Sequence, residues 1–396
     1  MIKFRLFTFV TTLVASLIML FGFTTQIYPI SDFWTHWQVE NLTQYVKGGG
    51  LVLLYYPFKR LEFHPSSAAA IINFFSWILF AYSVRPNKMS FSCECIVSIL
   101  ILTFGIWWIP ASSFVEVMQP HIALLAFGMR SLFFSENKKI KLLAIFSLTL
   151  SLSMRMQTVL ILSPAIILYF LSILIKKYSY KKKISFTYLT YIFIAAIFGV
   201  SIEMGLRTIS KQDVSIILNQ RVALYSGLLS SDKGTNSCGS WSLSSENKAR
   251  DELNLDLIDI IKNNISFIKE NIMELALCKY NRILNLAPFS SYMTMAHLDK
   301  TDIFTKYFLS SKYIKIESFG NELMKFIILI SLIYMIISSF FLRNHNDIII
   351  TKSGIFIGIL LVFGIFEFNP RYMYTVIALV ITLFVIHAES RFRINE

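Results

Sequence analysis

Charge is scarce in this sequence. Asp, Glu, Lys and Arg together make up 15% of the chain, whereas soluble domains carry about 25%. With hydrophobic residues at 55% of 396, too little polar surface exists to face water, so a soluble multi-domain enzyme is excluded and lipid is the expected solvent. Cysteine is scarce as well: four in so long a chain form no disulfide framework, which excludes a small secreted scaffold. No strand–loop–helix carries GK[ST], so a nucleotide-cradling loop is missing. No repeat of 20–50 residues is visible, which argues against solenoids and propellers. Acidic residues are also few, 24 against 37 basic, for a net charge of +13. In water such a balance suggests nucleic acid; in a membrane protein it reflects basic cytoplasmic loops facing anionic lipid.

What is abundant is long apolar sequence. A hydrocarbon layer of about 30 Å takes roughly 20 apolar residues per helical crossing. That ruler marks ten spans: Phe7–Thr25, Ala68–Val84, Phe91–Ile109, His121–Phe134, Ile140–Met154, Thr158–Ile175, Ile184–Met204, Leu323–Leu342, Ile348–Phe366 and Tyr372–Ile386. The fourth and fifth are short. The first follows Lys3 and Arg5 as a signal peptide would, but no small-residue cleavage site follows it, so a retained signal anchor is expected.

Basic residues alternate between short connections. Lys3, Arg5, Arg85, Lys88, Lys138, Lys139, Lys141, Lys176, Lys177, Lys181–Lys183, Arg343, Lys352, Arg391 and Arg393 fall on one side, and only Lys47, Lys59, Arg60, Arg155 and Arg371 on the other. Basic loops stay in the cytoplasm, so both termini are predicted there. The expected fold is an all-α polytopic membrane protein of about ten transmembrane helices in three parts. Residues 1–204 form a membrane domain of about seven helices, 205–321 a partly helical outer domain, and 322–396 a membrane domain of about three helices. Two outer segments exceed a turn: a first loop from 26 to 67, and the outer domain, with helix-like stretches such as Asp256–Leu277.

Candidate chemistry gathers at the outer ends of the spans. In Ser31–Glu40, Asp32, His36 and Glu40 are spaced i, i+4, i+8 and share one helical stripe, flanked by Phe33, Trp34 and Trp37. A carboxylate at the membrane surface suits a general base for a sugar hydroxyl; an interfacial helix with a water-facing polar stripe is the plainer alternative. Further along come Gly48-Gly49-Gly50, a tight turn or a close approach to a ligand, and then Lys59, Arg60 and His64, fit for a lipid phosphate or for ordinary headgroups. The last outer loop reads Phe366-Glu367-Phe368-Asn369-Pro370-Arg371-Tyr372. Guanidinium is shaped for bidentate contact with phosphate, although Glu367 is an equally simple partner for Arg371. Arg155 and Glu116 lie in outer connections too. Glu94 and Glu203 are acids near span ends. Ion-coupled transporters place carboxylates near the midplane, so this distribution disfavours one.

These stretches in their order resemble the membrane-embedded glycosyltransferases of the GT-C superfamily. The family pattern carries an Asp in the first outer loop, then Gly, Tyr-Pro and His-Pro before the second span, and an Arg-Tyr opening a late span. Here Asp32-Phe33, Gly50, Tyr56-Pro57, His64-Pro65 and Arg371-Tyr372 match it. Arg155 followed by Ser163-Pro164 is similar to the mid-chain helix. His36 and Glu40 depart from the usual Tyr and Ala, and residues 205–321 are not covered. Size and layout look most like bacterial O-antigen glucosyltransferases of the serotype-converting type.

The resemblance implies an inverting transfer of a hexose, glucose in those relatives, from undecaprenyl phosphate to O-antigen lipopolysaccharide or a related surface glycan, on the periplasmic face of the bacterial inner membrane. In that scheme Asp32 is the base, and Arg371, with Lys59, Arg60, His64 and Arg155, holds the departing phosphate. The partners implied are the polyprenyl-phosphate-linked donor, a glycan or lipid-linked acceptor and membrane lipid, with no nucleic acid. Some relatives place a divalent metal, Mg²⁺ or Mn²⁺, on the phosphate, to which Asp32, His36 and Glu40 could contribute ligands. An O-antigen polymerase or ligase, and a flippase or transporter for a lipid-linked sugar, are the alternatives. A flippase predicts paired charges lining a path, and the sequence alone reveals none. Cys238 and Cys278, both in the outer domain, are spaced so that a bridge is open to them but not required.

Overall fold

The computed structural model describes residues 5–24, 37, 49–87, 90–112, 118–180, 188–209, 221–229, 238–239, 242–252, 254–284, 307, 310–339, 346–365 and 372–394. Among them all regular structure is helical, as lipid requires of a chain that must pair its own backbone N–H and C=O groups. The membrane part comprises α1 (Arg5–Thr24), α2 (Gly49–Arg60), α3 (Pro65–Val84), α4 (Phe91–Trp108), α5 (Met118–Phe134), α6 (Lys138–Met154), α7 (Met156–Tyr180) and α8 (Tyr188–Ile209). The segment between α8 and the next long apolar helix contributes α9 (Leu243–Asp251), α10 (Leu257–Asn263) and α11 (Ile265–Leu284). The chain then returns through α12 (Ser311–Ser339), α13 (Asn346–Ile365) and α14 (Tyr372–Ile394).

Each of the ten expected spans overlaps a helix of the described residues. Six of them, α1, α3, α4, α7, α8 and α12, contain segments long and apolar enough to cross a bilayer, and α13 and α14 hold shorter apolar stretches, Ile349–Val362 and Tyr374–Ser390. At 17 residues each, α5 and α6 are roughly 26 Å long, just short of the hydrocarbon thickness.

Burial separates the centre of the bundle from its rim. Residues 375–390 of α14 are buried all round, the pattern of a helix enclosed by others; it packs on α3, α4, α5, α12 and α13. By contrast α1 leaves Leu6, Phe9, Leu13, Leu20 and Phe23 exposed, a stripe suited to lipid. The most extensive pairing joins α7 to α13, where Gly354 and Gly358 lie directly against the backbone of Ala165 and Ile161. A side chain at either glycine would collide there, so the G-x-x-x-G spacing is what permits the close approach.

Helix ends follow local chemistry. Asn137 caps α6 by accepting from the Lys139 N–H at 2.9 Å, and Ser90 caps α4 by accepting from the Cys93 N–H at 3.3 Å. Pro65 at the first turn of α3 follows a capping His64, whose Nδ1 accepts from the Ser66 N–H at 3.4 Å, a placement where proline sacrifices no hydrogen bond.

Two boundaries differ from expectation. The first outer loop is not all loop: residues 49–60 form α2, and α3 starts at Pro65. The apolar run in α2 is too short for a span, but it buries Leu51, Val52 and Tyr55 against the bundle. Residues 311–321, expected in the outer domain, form the first turns of α12, where the Tyr313 hydroxyl donates to the Ile106 carbonyl at 2.6 Å. The expected helical stretch Asp256–Leu277 is found as α10 and α11. A small second core, including Leu224, Tyr225, Ala249, Ile260 and Ile268, serves this segment between α8 and α12.

Candidate functional site

The rim site is organised around α2. The first N–H groups of a helix lack intrahelical partners and attract anions. Here the Gly49 N–H donates to Glu203 Oε2 at 2.8 Å, while Glu203 Oε1 accepts from Arg207 Nε at 2.8 Å. Glu203 is 2% exposed, so one buried carboxylate of α8 anchors α2 and pairs with a guanidinium one turn away. A Cβ at Gly50 would meet the Leu150 carbonyl and Ser153 Oγ, both at 2.5 Å. Gly50 is thus neither a turn nor an approach to a ligand: it lies within α2, and what it closely approaches is the end of α6.

The other end of α2 closes in a Schellman arrangement. The Phe63 N–H donates to the Phe58 carbonyl and the Glu62 N–H to the Lys59 carbonyl, both at 3.0 Å. The Phe58 and Phe63 rings meet edge-on at 5.5 Å, the apolar contact that accompanies this motif. Its left-handed position, φ 57°, is held by Glu62 rather than glycine, a conformation that costs a non-glycine residue roughly 1 kcal/mol.

This geometry fixes the basic candidates. Lys59 Nζ donates to the Trp37 carbonyl at 2.9 Å, and the Trp37 ring meets Tyr55 edge-on at 6.2 Å. Arg60 donates to Tyr56 Oη through Nε at 2.8 Å, with its guanidinium 5.0 Å from that ring. His64 follows at the start of α3. Arg155 stands at the corner between α6 and α7, extended at φ −142°, ψ 95°. It follows Ser153 and Met154, which pack on Gly50, so it belongs near the opposite end of α2, about 15 Å of helix from Arg60. Lys59, Arg60 and His64 are thus close in the chain and along the fold, with Arg155 farther along the rim.

Asp32, His36, Glu40, Glu116, Glu367 and Arg371 lie outside the described residues, as does the side chain of Tyr372, the residue that opens α14. Among the described residues, no group of three or more His, Cys, Asp or Glu side chains could hold a metal. Cys238 and Cys278 are joined in a disulfide with Cα atoms 6.4 Å apart. The neighbouring Lys279 donates to the Gly364 carbonyl at 3.0 Å, linking the bridged segment to the end of α13, which precedes Arg371 in the sequence. In the segment between α8 and α12, burial and then the Glu252 carboxylate hold the Tyr225 phenol above its ordinary value.

Sequence reasoning missed three buried clusters. His121, fully buried, joins α5 to α6 and α7 through Ser151 Oγ at 2.9 Å and Thr158 Oγ1 at 3.0 Å. Arg130 pairs with Glu389 at 2.5 Å and also donates to the Ser83 and Arg85 carbonyls, so paired buried charges do exist. Lys352 Nζ lies 2.8 Å from His387 Nδ1. Nothing local in the sequence marks these pairs, because each forms between distant helices.

A further feature lies where the ends of α4, α5 and α14 meet. Phe104, Trp107, Trp108, Gln119 and Tyr374 line a small cavity, and the Trp107 and Tyr374 rings stand edge-on at 4.6 Å. Tyr374 is the third residue of α14, close in sequence to Arg371. The chain matches no family model, and neither curated proteins nor solved structures yield a relative.

Proposed function

We propose that this is a multi-pass inner-membrane glycosyltransferase of GT-C type with ten crossings and both termini cytoplasmic. It moves a hexose, glucose by resemblance, from undecaprenyl phosphate to a surface glycan such as O-antigen lipopolysaccharide. The observation that carries this reading is the anchoring of α2 through Gly49, Glu203 and Arg207, together with the Lys59–Trp37 hydrogen bond. Between them they tie the basic end of the first outer loop to the segment holding Asp32, which is five residues, or at most about 18 Å of chain, from Trp37. The Cys238–Cys278 bridge supports the orientation, because disulfides persist on the oxidising side of a membrane.

In the proposed step Asp32 takes the proton of the acceptor hydroxyl as that oxygen attacks the anomeric carbon. The carbon–oxygen bond to the lipid phosphate breaks, and the configuration inverts. Arg371, aided by Lys59, Arg60 or His64, offsets the charge growing on the departing phosphate. The donor arrives activated, so no nucleotide site is needed. A divalent ion at Asp32, His36 and Glu40 is part of the proposal only as a ligand set to be tested by chelation.

One observation favours a second reading, a lipid-sugar flippase: the buried Arg130–Glu389 pair. The pair joins the last turns of α5 and α14 to the end of α3, however, and so sits at one end of the bundle rather than along a path through it. The deciding experiment is transfer of labelled sugar by purified protein in detergent, where no sides exist. Wild type is expected to transfer and Asp32→Asn to lose transfer while still inserting; no transfer by wild type would favour the flippase, and wild-type-like transfer by the variant would remove Asp32 as base.

A further inference from the structure

Beyond the transferase reading, and independent of it, we propose that α11 lies along the membrane interface. One apolar face of it is seated in the lipid leaflet at the end of the bundle where α13 stops. At 3.6 residues per turn, α11 divides into three faces. Ile268, Asn271 and Leu275 are buried in the protein. Glu270 and Glu274 form an exposed acidic flank. The third face holds Ile265, Ile272, Met273, Ala276 and Leu277, all exposed, with Lys269 among them. Met273 is 71% and Leu277 61% exposed, and an open apolar surface of this kind marks an interaction site.

Depth and continuity identify lipid as its partner. Lys279 Nζ donates to the Gly364 carbonyl at 3.0 Å, one of the last carbonyls of α13, which lack partners within the helix. The apolar run of α13, Ile349–Val362, stops just short of Gly364, so this contact stands where hydrocarbon gives way to headgroups. Lys279 shares a helical stripe with Ala276, Ile272 and Ile265, at i−3, i−7 and i−14. The side of α11 turned toward the end of the bundle is therefore its apolar side.

The surface below that contact is itself suited to lipid. Helix α13 packs along α7, whose Met156–Leu174 is long and apolar enough to cross a bilayer. Leu360, one turn before Gly364 on the same stripe of α13, is 73% exposed, and Leu361 beside it is exposed too. The apolar face of α11 takes over where that face of α13 ends. An apolar face, an acidic flank turned to water and a lysine able to reach phosphate while its stem stays on the apolar side together make an interfacial helix.

The far end of the face gives the test, because Ile265 is about 21 Å of helix from Lys279 and reaches lipid only if α11 lies flat. A bimane label is placed on Ile265→Cys or, as control, on Glu270→Cys, with Cys93 and Cys95 changed to Ser and the native bridge kept. The full-length protein is reconstituted in phosphatidylethanolamine–phosphatidylglycerol vesicles with brominated acyl chains. The label at 265 is expected to be quenched, at a depth of about 5–10 Å, and the label at 270 to stay as bright as in unbrominated vesicles. Adding Ile272→Glu and Met273→Glu should abolish quenching at 265 and leave the melting temperature in detergent unchanged, since both positions are exposed.

No quenching at 265, equal quenching at both positions, or quenching that survives the paired glutamates would each overturn the proposal. A melting temperature lowered in detergent by those glutamates would overturn it as well, by showing the face packed within the protein. Cross-linking of Ile265→Cys between copies in detergent, rising with protein concentration, would assign the face to a second copy instead. None of these readouts uses sugar transfer, so failure of the transferase reading leaves them unaffected.

Discussion

The two ends of the bundle use buried charge for different work. At the α2 end, Glu203 spends one oxygen on the first turn of a short helix and the other on Arg207, so the ion pair positions a segment that packing alone holds weakly. At the opposite end, Arg130 joins Glu389 and takes in the Ser83 and Arg85 carbonyls, closing the ends of long helices that the core already holds. The first pair therefore orients something; the second satisfies carbonyls and fastens α3, α5 and α14 together. In lipid, where water cannot complete either set, both arrangements are needed for stability, but only the first is tied to the proposed chemistry.

The sharpest way to break this contrast is to neutralise one acid at each end. Glu203→Gln removes the charge and one acceptor oxygen that Arg207 and the Gly49 N–H share, and Glu389→Gln removes the charge facing Arg130; each should lower stability in detergent by about 3 kcal/mol, as expected when one partner of a buried pair is neutralised. Their effects on activity should differ. Glu203→Gln loses sugar transfer per folded molecule and exposes residues 49–60 to protease, while Glu389→Gln retains transfer in its folded fraction. Equal loss of transfer per folded molecule in both variants would erase the distinction.

A comparable effect should come from the segment between α8 and α12. Opening the bridge with Cys238→Ser removes a cross-link spanning 40 residues, worth about 4 kcal/mol in the chain-entropy estimate. Proteolysis followed by mass spectrometry should find α9–α11 cleaved earlier while the α7–α13 pair stays protected. The smallest change refines the α2 end itself: Glu62→Gly relieves the left-handed position and should raise stability by about 1 kcal/mol, read as a higher melting temperature with transfer unchanged.

The sequence made the long apolar helices legible because such a helix is specified locally, by some twenty apolar residues in a row. It also pointed to a segment of ordinary polar composition between the apolar runs, whose helix-like stretch is found as α10 and α11. Other features depend on distant partners. Nothing near Gly49 announces that its amide will meet Glu203, 154 positions later, and Arg130 is 259 positions from Glu389. The apolar run of the twelve-residue α2 is shorter than a bilayer crossing requires, so its pattern carries no span signal. Glu62 sits where glycine is usual, so no turn signal was visible there. Of the site, Lys59, Arg60 and His64 were recognisable as a basic cluster, but Arg60 proved to engage Tyr56 and His64 to cap α3, roles that need coordinates. Asp32 and Arg371 rest on the order of motifs along the chain.

Those two residues give the decisive measurement. Asp32→Cys and Arg371→Cys are introduced together, with Cys93 and Cys95 changed to Ser and the native bridge kept, and the pair is treated in membranes with a short bifunctional thiol reagent. If both line one cavity at the outer rim, cross-linking is efficient, is faster than for either residue paired with an inner-end control such as Ser390→Cys, and is slowed by the donor lipid. If the pair links no faster than the control, the aspartate and the arginine do not share a site, and the proposed catalytic centre is contradicted.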